Sequence, residues 1–222
     1  MSRETQFGFS LIELLIAMAI GMILTAMAVP LVTGTLNTYY LRQAGTEYAN
    51  MIQTARMRAV QDDQYYDIQE NLGAQAAGVP NAFVNTTLSV AMAYQVGDPL
   101  ILTNQSIVMR ARAAAPALPD LEGRFLPALA AVTINPNAWG PSFGARGLPC
   151  QAAGGVAVGA TCSYLSTSGG ANGVGPGLPV AFESFFQSLN AGGSWLAVTV
   201  NPAGRVRQWY YDVAAAAWRP LN

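Results

Sequence analysis

The sequence of 222 residues contains neither histidine nor lysine, so all eleven of its basic residues are arginines. These absences remove the commonest general base, the Schiff-base amine and the usual zinc ligand. Hydroxyl groups such as those of Ser166 and Ser168 therefore have no side chain of the usual kind to activate them. We expect a protein that is not an enzyme and that needs no cofactor and no metal.

Charge of either sign is scarce. Only 10% of the residues are charged, against roughly 25% in an average soluble protein, whereas 52% are hydrophobic. This composition excludes a disordered chain. Because the formal net charge is −1, the chain exerts no long-range attraction on polyanions, and any contact with nucleic acid has to come from a local patch.

A long uncharged run lies near the N-terminus and extends over the 28 residues from Leu14 to Leu41. We assign residues 14–33 as a transmembrane helix, because about 20 apolar residues cross a hydrocarbon core of about 30 Å. One alternative is an ordinary signal peptide of a secreted soluble β protein, since Ala26-Met27-Ala28 offers an A-x-A cleavage pattern. Another is a plain anchor, in which Glu13 costs up to about 3 kcal/mol unless it finds a partner.

The segment Gly8-Phe9-Ser10-Leu11-Ile12-Glu13-Leu14-Leu15, with Pro30 further on, resembles the class III leader and helix start of type IV pilins and type II secretion pseudopilins. The resemblance implies that a prepilin peptidase removes residues 1–8, cutting after Gly8, and N-methylates Phe9. It also implies that Glu13 pairs with the terminal amine of a neighbouring subunit during assembly. This pairing is physically reasonable, since a carboxylate inside an apolar bundle needs a cation.

The resemblance further implies a single-pass protein of the inner membrane with a periplasmic head. The protein would later enter a pilus or a pseudopilus, and as part of a pilus it would reach the cell surface. Gly21 and Pro30 lie inside the apolar helix, where glycine lowers helix propensity and proline removes a hydrogen bond. We expect the segment between them to bend or locally unwind. The alternative is a kink that the membrane tolerates.

After the apolar run the helical pattern becomes amphipathic. Its apolar positions are Leu36, Tyr40, Ala44, Tyr48, Met51, Ile52, Ala55 and Ala59. We therefore expect one helix over residues 9–62, whose second half packs on a head formed by residues 63–222. The predicted fold class is α+β and pilin-like, with a long N-terminal helix packed against an antiparallel β-sheet.

The head shows short β-rich runs separated by turn residues. The candidate strands are Tyr65–Gln69, Leu88–Gln95, Ser106–Arg110, Ala131–Ile134, Pro179–Glu183, Trp195–Val200 and Arg205–Tyr211. Asn201-Pro202-Ala203-Gly204 predicts a hairpin between the last two, because proline presets the turn and glycine can adopt the left-handed conformation that closes it.

Three further segments resemble the GspH/FimT group of minor pilins and pseudopilins. They are Ala55-Arg56-Met57-Arg58-Ala59-Val60, Phe143-Gly144-Ala145-Arg146-Gly147-Leu148-Pro149, and Val198-Thr199-Val200-Asn201-Pro202-Ala203-Gly204-Arg205-Val206-Arg207. This resemblance implies a minor subunit of a type IV pilus or type II secretion pseudopilus. Its partners would be other pilin or pseudopilin subunits, the prepilin peptidase and the inner-membrane assembly platform.

The segment Gly204-Arg205-Val206-Arg207 also resembles the one with which DNA-uptake minor pilins of the FimT type bind DNA. On a strand, Arg205, Arg207, Trp209 and Tyr211 alternate onto one face, where guanidinium groups suit phosphates and rings can stack on bases. DNA is therefore an alternative partner, and DNA uptake in competence an alternative function. The plainer interpretation is an ordinary hairpin with solvated arginines and with Trp209 or Tyr210 in the core.

Cys150 and Cys162 bracket a loop rich in glycine and alanine. If the head lies outside the cytoplasm, as the resemblance implies, oxidation is permitted, and a disulfide here contributes about 3 kcal/mol. Two free thiols and a metal pair are the alternatives, and the metal is disfavoured because the chain has no histidine and no third cysteine.

Two other clusters have the composition of binding sites without their spacing. Asp62, Asp63, Asp67 and Glu70 could supply oxygen ligands to Ca²⁺, but the glycine and alternating aspartates of a calcium loop are missing. We expect a solvated helix end instead. The glycine-rich residues 169–177 are followed by no Gly-Lys-Ser/Thr motif, so a phosphate-binding loop is not expected there.

Overall fold

The computed structural model describes residues 10–86, 94–95, 98–102, 104, 106–116, 133–134, 139–152, 162–165, 179–190 and 193–221. The chain divides into two compact units, Met1–Tyr39 and Tyr40–Asn222. The described residues include a long N-terminal apolar helix, its helical continuation and sheets in which the strands pair mainly antiparallel. The predicted α+β, pilin-like fold class is thereby confirmed.

Helix α1 covers Leu11–Gln61. Ser10 precedes it at the N-cap position, which serine favours, and its carbonyl accepts hydrogen bonds from the amides of Glu13 and Leu14 at 3.0 and 3.2 Å. The helical backbone runs through both Gly21 and Pro30. Bending or unwinding between these two residues therefore stays a prediction for the assembled protein.

The start of α1 is strongly apolar. Within the described residues, one helical segment, Leu11–Ala28, is long and apolar enough to cross a membrane, with a mean hydropathy of 2.3. Its large side chains are exposed, and Leu11 and Met27 keep 80% and 72% of their surface. Exposed apolar surface of this extent requires an apolar environment. A membrane anchor is consistent with it.

The second unit contains twelve strands among its described residues. They are β1 Tyr66–Glu70, β2 Ala82–Thr86, β3 Tyr94–Gln95, β4 Ile107–Arg110, β5 Thr133–Ile134, β6 Trp139–Phe143, β7 Gln151–Ala152, β8 Cys162–Ser163, β9 Val180–Ser188, β10 Trp195–Val200, β11 Val206–Asp212 and β12 Ala217–Pro220. One sheet has the order β3-β2-β1-β6 and a larger one the order β12-β11-β10-β9-β4. In addition, β5 runs parallel to β9, and β7 pairs with β8.

The core of the second unit joins the later part of α1 to both sheets. Six of the predicted helix positions are buried, namely Ala44, Tyr48, Met51, Ile52, Ala55 and Ala59, and Tyr40 packs against them. The prediction is wrong for Leu36, which lies in the first unit and is 45% exposed. A β-carbon at Gly45 would lie 2.5 Å from Cδ2 of Leu196, so this glycine lets the helix approach β10 closely.

Several strands differ from the sequence-based expectation. Trp195–Val200 is confirmed at both ends, whereas β9 continues five residues beyond the predicted Glu183 to Ser188. Of the predicted Leu88–Gln95, only the last two residues are described as a strand, and residues 87–93 lie outside the described chain. Strands β2, β6, β7, β8 and β12 were not predicted.

Candidate functional site

The processing segment and the beginning of α1 form the first part of the candidate site. Glu13 lies in the first turn of the helix, exposed among apolar side chains, and its charge complements the positive end of the helix dipole. None of the ion pairs formed by the described residues includes it. Gly8 and Phe9 lie outside the described residues, so the cleavage site itself stays a prediction.

The β10–β11 hairpin forms the second part, and its turn is the predicted one. The amide of Asn201 donates to the carbonyl of Arg205 at 3.0 Å, and the amide of Arg205 donates to Oδ1 of Asn201 at 2.8 Å. Gly204 closes the turn with a φ of +77°, a conformation that glycine adopts without strain. The turn therefore fixes the backbone from which the Arg205 side chain projects.

The predicted alternation along this hairpin is wrong in two respects. Arg205 lies in the turn, because β11 begins only at Val206. Trp209 is 8% exposed, packs with Phe185 and Ala197, and donates a hydrogen bond from Nε1 to Oγ1 of Thr199 at 2.8 Å. This ring therefore belongs to a small apolar cluster on the sheet and cannot stack on a base, as the plainer interpretation of the hairpin anticipated.

Arg56 of α1 connects the hairpin to a distant turn. Its Nε donates to the carbonyl of Gly147 at 2.8 Å, and a terminal nitrogen donates to the carbonyl of Gly204 at 2.9 Å. Both glycines have positive φ, and a β-carbon on Gly147 would lie 2.8 Å from Cγ2 of Val60. The guanidinium group of Arg56 thus contacts both of the other segments quoted above for their resemblance to the GspH/FimT group. These contacts were not predicted, because the residues involved are far apart in the sequence.

An open groove of about 1370 Å³ lies between α1 and strands β11 and β12. Four arginines line it, namely Arg42, Arg205, Arg207 and Arg219. The described lining includes no carboxylate, although Nε of Arg219 lies 2.9 Å from Oδ2 of the neighbouring Asp212. Arg42 and Arg219 were not predicted as site residues, because each is an isolated arginine in the sequence.

The predicted disulfide between Cys150 and Cys162 is confirmed, with the two Cα atoms 5.5 Å apart. Cys150 directly precedes strand β7 and Cys162 is the first residue of strand β8, so the bond links the two strands of this pair. Nearby, the guanidinium carbon of Arg146 lies 5.6 Å from the centre of the Tyr164 ring, within cation–π range.

The acidic group near the end of α1 divides into two pairs. Asp62 and Asp63 are exposed, as expected for a solvated helix end. The same expectation is wrong for Asp67 and Glu70, because both belong to strand β1. Asp67 is 3% exposed, and its Oδ1 has no hydrogen-bond partner within the described chain. Burial raises the pKa of this carboxyl to about 6.

Glu70 accepts hydrogen bonds inside the core. Its Oε1 accepts from the hydroxyl of Tyr48 and from Oγ of Ser184, the latter at 2.6 Å. A β-carbon at Gly140 would lie 2.8 Å from the same oxygen, so the carboxyl group is tightly enclosed even though the residue as a whole is only half-buried. Burial raises the pKa of Glu70 to about 7, while the two hydroxyl donors oppose the change.

A buried ion pair lies on the larger sheet, on the face opposite to the one that carries Ser184. Nε of Arg112 lies 3.1 Å from Oε2 of Glu183, whose side chain is 1% exposed. Burial raises the pKa of Glu183 to about 7 against the opposing charge of Arg112. This pair attaches the segment that follows β4 to strand β9, and we regard its role as structural.

Comparison with known families identifies the N-terminal segment. Residues 4–29 match the family model described as the prokaryotic N-terminal methylation motif. This match supports a type IV pilin-class protein that is processed by prepilin peptidase and that assembles with other pilins. A comparison with curated proteins and another with solved structures found no match.

Proposed function

We propose that the protein is a minor pilin or pseudopilin that assembles into a type IV pilus or a type II secretion pseudopilus after prepilin peptidase has processed it. The observation that carries the proposal is the methylation motif over residues 4–29, which coincides with the start of an exposed apolar helix. Glu13 is the one carboxylate of that helix segment. In an apolar bundle it requires a cation, and the amine of a processed neighbour supplies one.

Two observations support the finer assignment. The three segments of GspH/FimT resemblance converge on Arg56, so they form one structural unit in the head. The Cys150–Cys162 disulfide suits a periplasmic head, because structural disulfides persist in oxidising compartments. In this proposal the subunit is held in the inner membrane until the assembly platform extracts it into the filament. If the filament is a pilus, the subunit is then displayed at the cell surface.

The role we assign to the chain is assembly and not catalysis. The described hydrogen bonds and ion pairs of the head are accounted for by packing within the head, and the proposed role needs no cofactor. Energy for extraction comes in this view from a separate assembly machine.

The test is the variant Glu13→Ala, with Glu47→Ala as its control. Glu47 is an exposed glutamate on the same helix outside the apolar segment. We expect Glu13→Ala to be processed and retained in the membrane but strongly depleted from sheared filaments, whereas Glu47→Ala assembles like the parent. Equal amounts of the Glu13→Ala and parent proteins in filaments would overturn the assembly role of Glu13.

DNA binding in uptake is a second candidate function, and the arginine-lined groove is the specific observation that favours it. Both arginines of the segment Gly204-Arg205-Val206-Arg207, which resembles the DNA-binding segment of FimT-type minor pilins, line the groove. Purified full-length protein in a non-ionic detergent should then bind DNA with an affinity that falls steeply as salt rises. Absence of binding at low salt would remove this candidate and leave the filament role intact.

A further inference from the structure

We propose that the turn of residues 213–216, which joins β11 to β12, inserts into the interfacial layer of the phospholipid bilayer that anchors α1. This β11–β12 turn holds the head against the membrane surface while the subunit is stored there. The inference rests on the proposed membrane anchoring, to which it adds a second lipid contact, made by the head itself.

The first argument is the composition of the β11–β12 turn. It consists of one valine and three alanines, all of them exposed, and Val213 keeps 67% of its surface. Ala216 has a φ of +47°, a left-handed conformation that glycine or asparagine adopts in ordinary turns and that strains a residue with a β-carbon. The turn at the other end of β11 has the usual residues, Asn201-Pro202-Ala203-Gly204. The β11–β12 turn thus keeps an apolar surface in spite of the strain.

The second argument is that polar groups of this turn are already paired. The amides of Ala214 and Ala215 donate to Oδ1 of Asp212 at 3.0 and 3.2 Å. Oδ2 of Asp212 lies 2.9 Å from Nε of Arg219, so the carboxylate has a cation beside it. Unpaired amides and isolated charges are what keeps a segment out of an apolar layer. These contacts lower the cost of placing the turn among lipids.

The third argument concerns the side chains that flank the turn. Tyr211 precedes it and Trp218 follows it, and the centres of their rings lie 5.4 Å apart. Tyrosine and tryptophan are enriched at the level of the lipid headgroups, where one part of the ring is apolar and another is wet. The side chain of Arg219 is 54% exposed, so it can donate to a lipid phosphate while it contacts Asp212. An apolar turn between aromatic and basic residues is typical of an interfacial segment.

The fourth argument is the position of the turn within the head. Arg56 donates to Gly204 in the β10–β11 turn, whereas Gly45, earlier on α1, lies against Leu196 near the start of β10. Leu196 pairs with Tyr210, so β11 runs back along α1 toward the point where the chain enters the second unit. The β11–β12 turn therefore lies at the end of the head that receives the chain from the anchor.

The length of the uncharged run brings this end of the head to the membrane surface. The run from Leu14 to Leu41 has 28 residues, which span about 42 Å as a helix. A bilayer with its headgroup layers is about 40–45 Å thick. Arg42, the first charge after the run, then lies at the level of the headgroups. Leu189, which directly follows β9 at the same end of the sheet, is 49% exposed and adds a second apolar side chain there.

The experiment uses the full chain in vesicles of phosphatidylethanolamine and phosphatidylglycerol, with a fluorophore on one introduced cysteine. The two native cysteines form a disulfide, so only the introduced thiol reacts. Val213→Cys reports on the turn, and Leu24→Cys reports on the apolar segment. Val60→Cys is the matched control, because it replaces an exposed valine of α1 beyond Arg56, at the other end of the head.

Lipids that carry a nitroxide on the acyl chain quench a fluorophore that lies among them, whichever way the protein is inserted. We expect them to quench the labels at positions 213 and 24 several-fold more strongly than the label at position 60. Such a pattern would place the turn, and not the whole head, in contact with lipid.

A charge in the turn provides a second variant. In the Val213→Cys background, Ala215→Glu adds a carboxylate at an exposed position, and we expect quenching of the label to fall several-fold, because a carboxylate stays in water. Ala203→Glu makes the same change at an exposed alanine of the β10–β11 turn and should leave quenching unchanged. Tryptophan fluorescence confirms that each variant is folded.

Three results would overturn the inference, and they differ from one another. If the label at position 24 is quenched and the label at position 213 is not, the chain is anchored as proposed but the turn stays in water. If the labels at positions 213 and 60 are quenched alike, the head contacts lipid without using the turn. If the label at position 24 is not quenched, the membrane anchoring fails together with the inference.

Discussion

Three carboxyl groups of the head, those of Asp67, Glu70 and Glu183, are withdrawn from water, and we therefore expect the stability of the head to fall as pH rises. Burial raises the pKa of Glu70 and Glu183 to about 7 and that of Asp67 to about 6. A carboxyl with a raised folded-state pKa takes up a proton on folding. Its contribution is therefore fully present below the unfolded pKa, which is about 4.5 for the two glutamates and about 3.8 for Asp67, and it is lost as pH rises through the folded value.

Glu70→Gln should reduce this dependence. The amide oxygen can still accept from Tyr48 and Ser184, but no charge has to be buried at high pH. We expect the parent to lose free energy of unfolding between about pH 5 and about pH 8, and the variant to be more stable than the parent at about pH 8 by about 1–2 kcal/mol. Denaturant unfolding followed by tryptophan fluorescence measures this, because the sequence's four tryptophans all lie in the second unit.

The matched control is Asp98→Asn, an acid-to-amide change at an exposed position. Its pH profile should run parallel to that of the parent. A Glu70→Gln profile as steep as the parent's would show that the ionising group is elsewhere.

Arg56 is the other residue on which the head depends. Arg56→Ala leaves the carbonyls of the buried Gly147 and Gly204 without their donor, so we expect the free energy of unfolding to fall by about 2–4 kcal/mol. Arg56→Lys should recover only part of the loss, because an ammonium group lacks the planar fork that reaches both carbonyls. An unchanged denaturation midpoint for Arg56→Ala would contradict the role we give this residue.

Among the elements, those with a regular hydrophobic period could be predicted. The apolar positions of α1 recur with the helical period, and β10 and β11 flank an unmistakable turn. Strands β6 and β12 contain Pro141 and Pro220, which argue locally against a strand. Both lie at sheet edges, where a missing amide donor costs little, but edge position is a property of the finished sheet and not of the sequence.

The disulfide stabilises the element pair β7 and β8, which is too short to be stable alone. Replacing both Cys150 and Cys162 by serine should lower the free energy of unfolding of the head by about 2–3 kcal/mol in the chain-entropy account. The same loss should appear when the parent is reduced, and the serine variant should not respond to reductant. A parent whose unfolding is insensitive to reduction would exclude a structural role for this bond.

For the molecule as a whole, the processing signal could be predicted because it is contiguous, whereas the groove could not. Gly8 to Leu15 forms one uninterrupted motif. In contrast, Arg42, Arg205 and Arg219 come together only because α1 lies beside the edge of the larger sheet. A contact between segments that are far apart in the sequence cannot be inferred from composition or from hydrophobic periodicity. The hydrogen bonds of Arg56 to Gly147 and Gly204 were not predicted for the same reason.

The central claim is that this chain is a processed, methylated pilin-class subunit. Mass spectrometry of the N-terminus, on full-length protein purified from cells with an active prepilin peptidase, tests it most directly. Our account predicts a mature chain that lacks residues 1–8 and begins with N-methylated Phe9. A chain that still carries Met1 to Gly8, or one that begins at Val29 after ordinary signal-peptide cleavage, would contradict it.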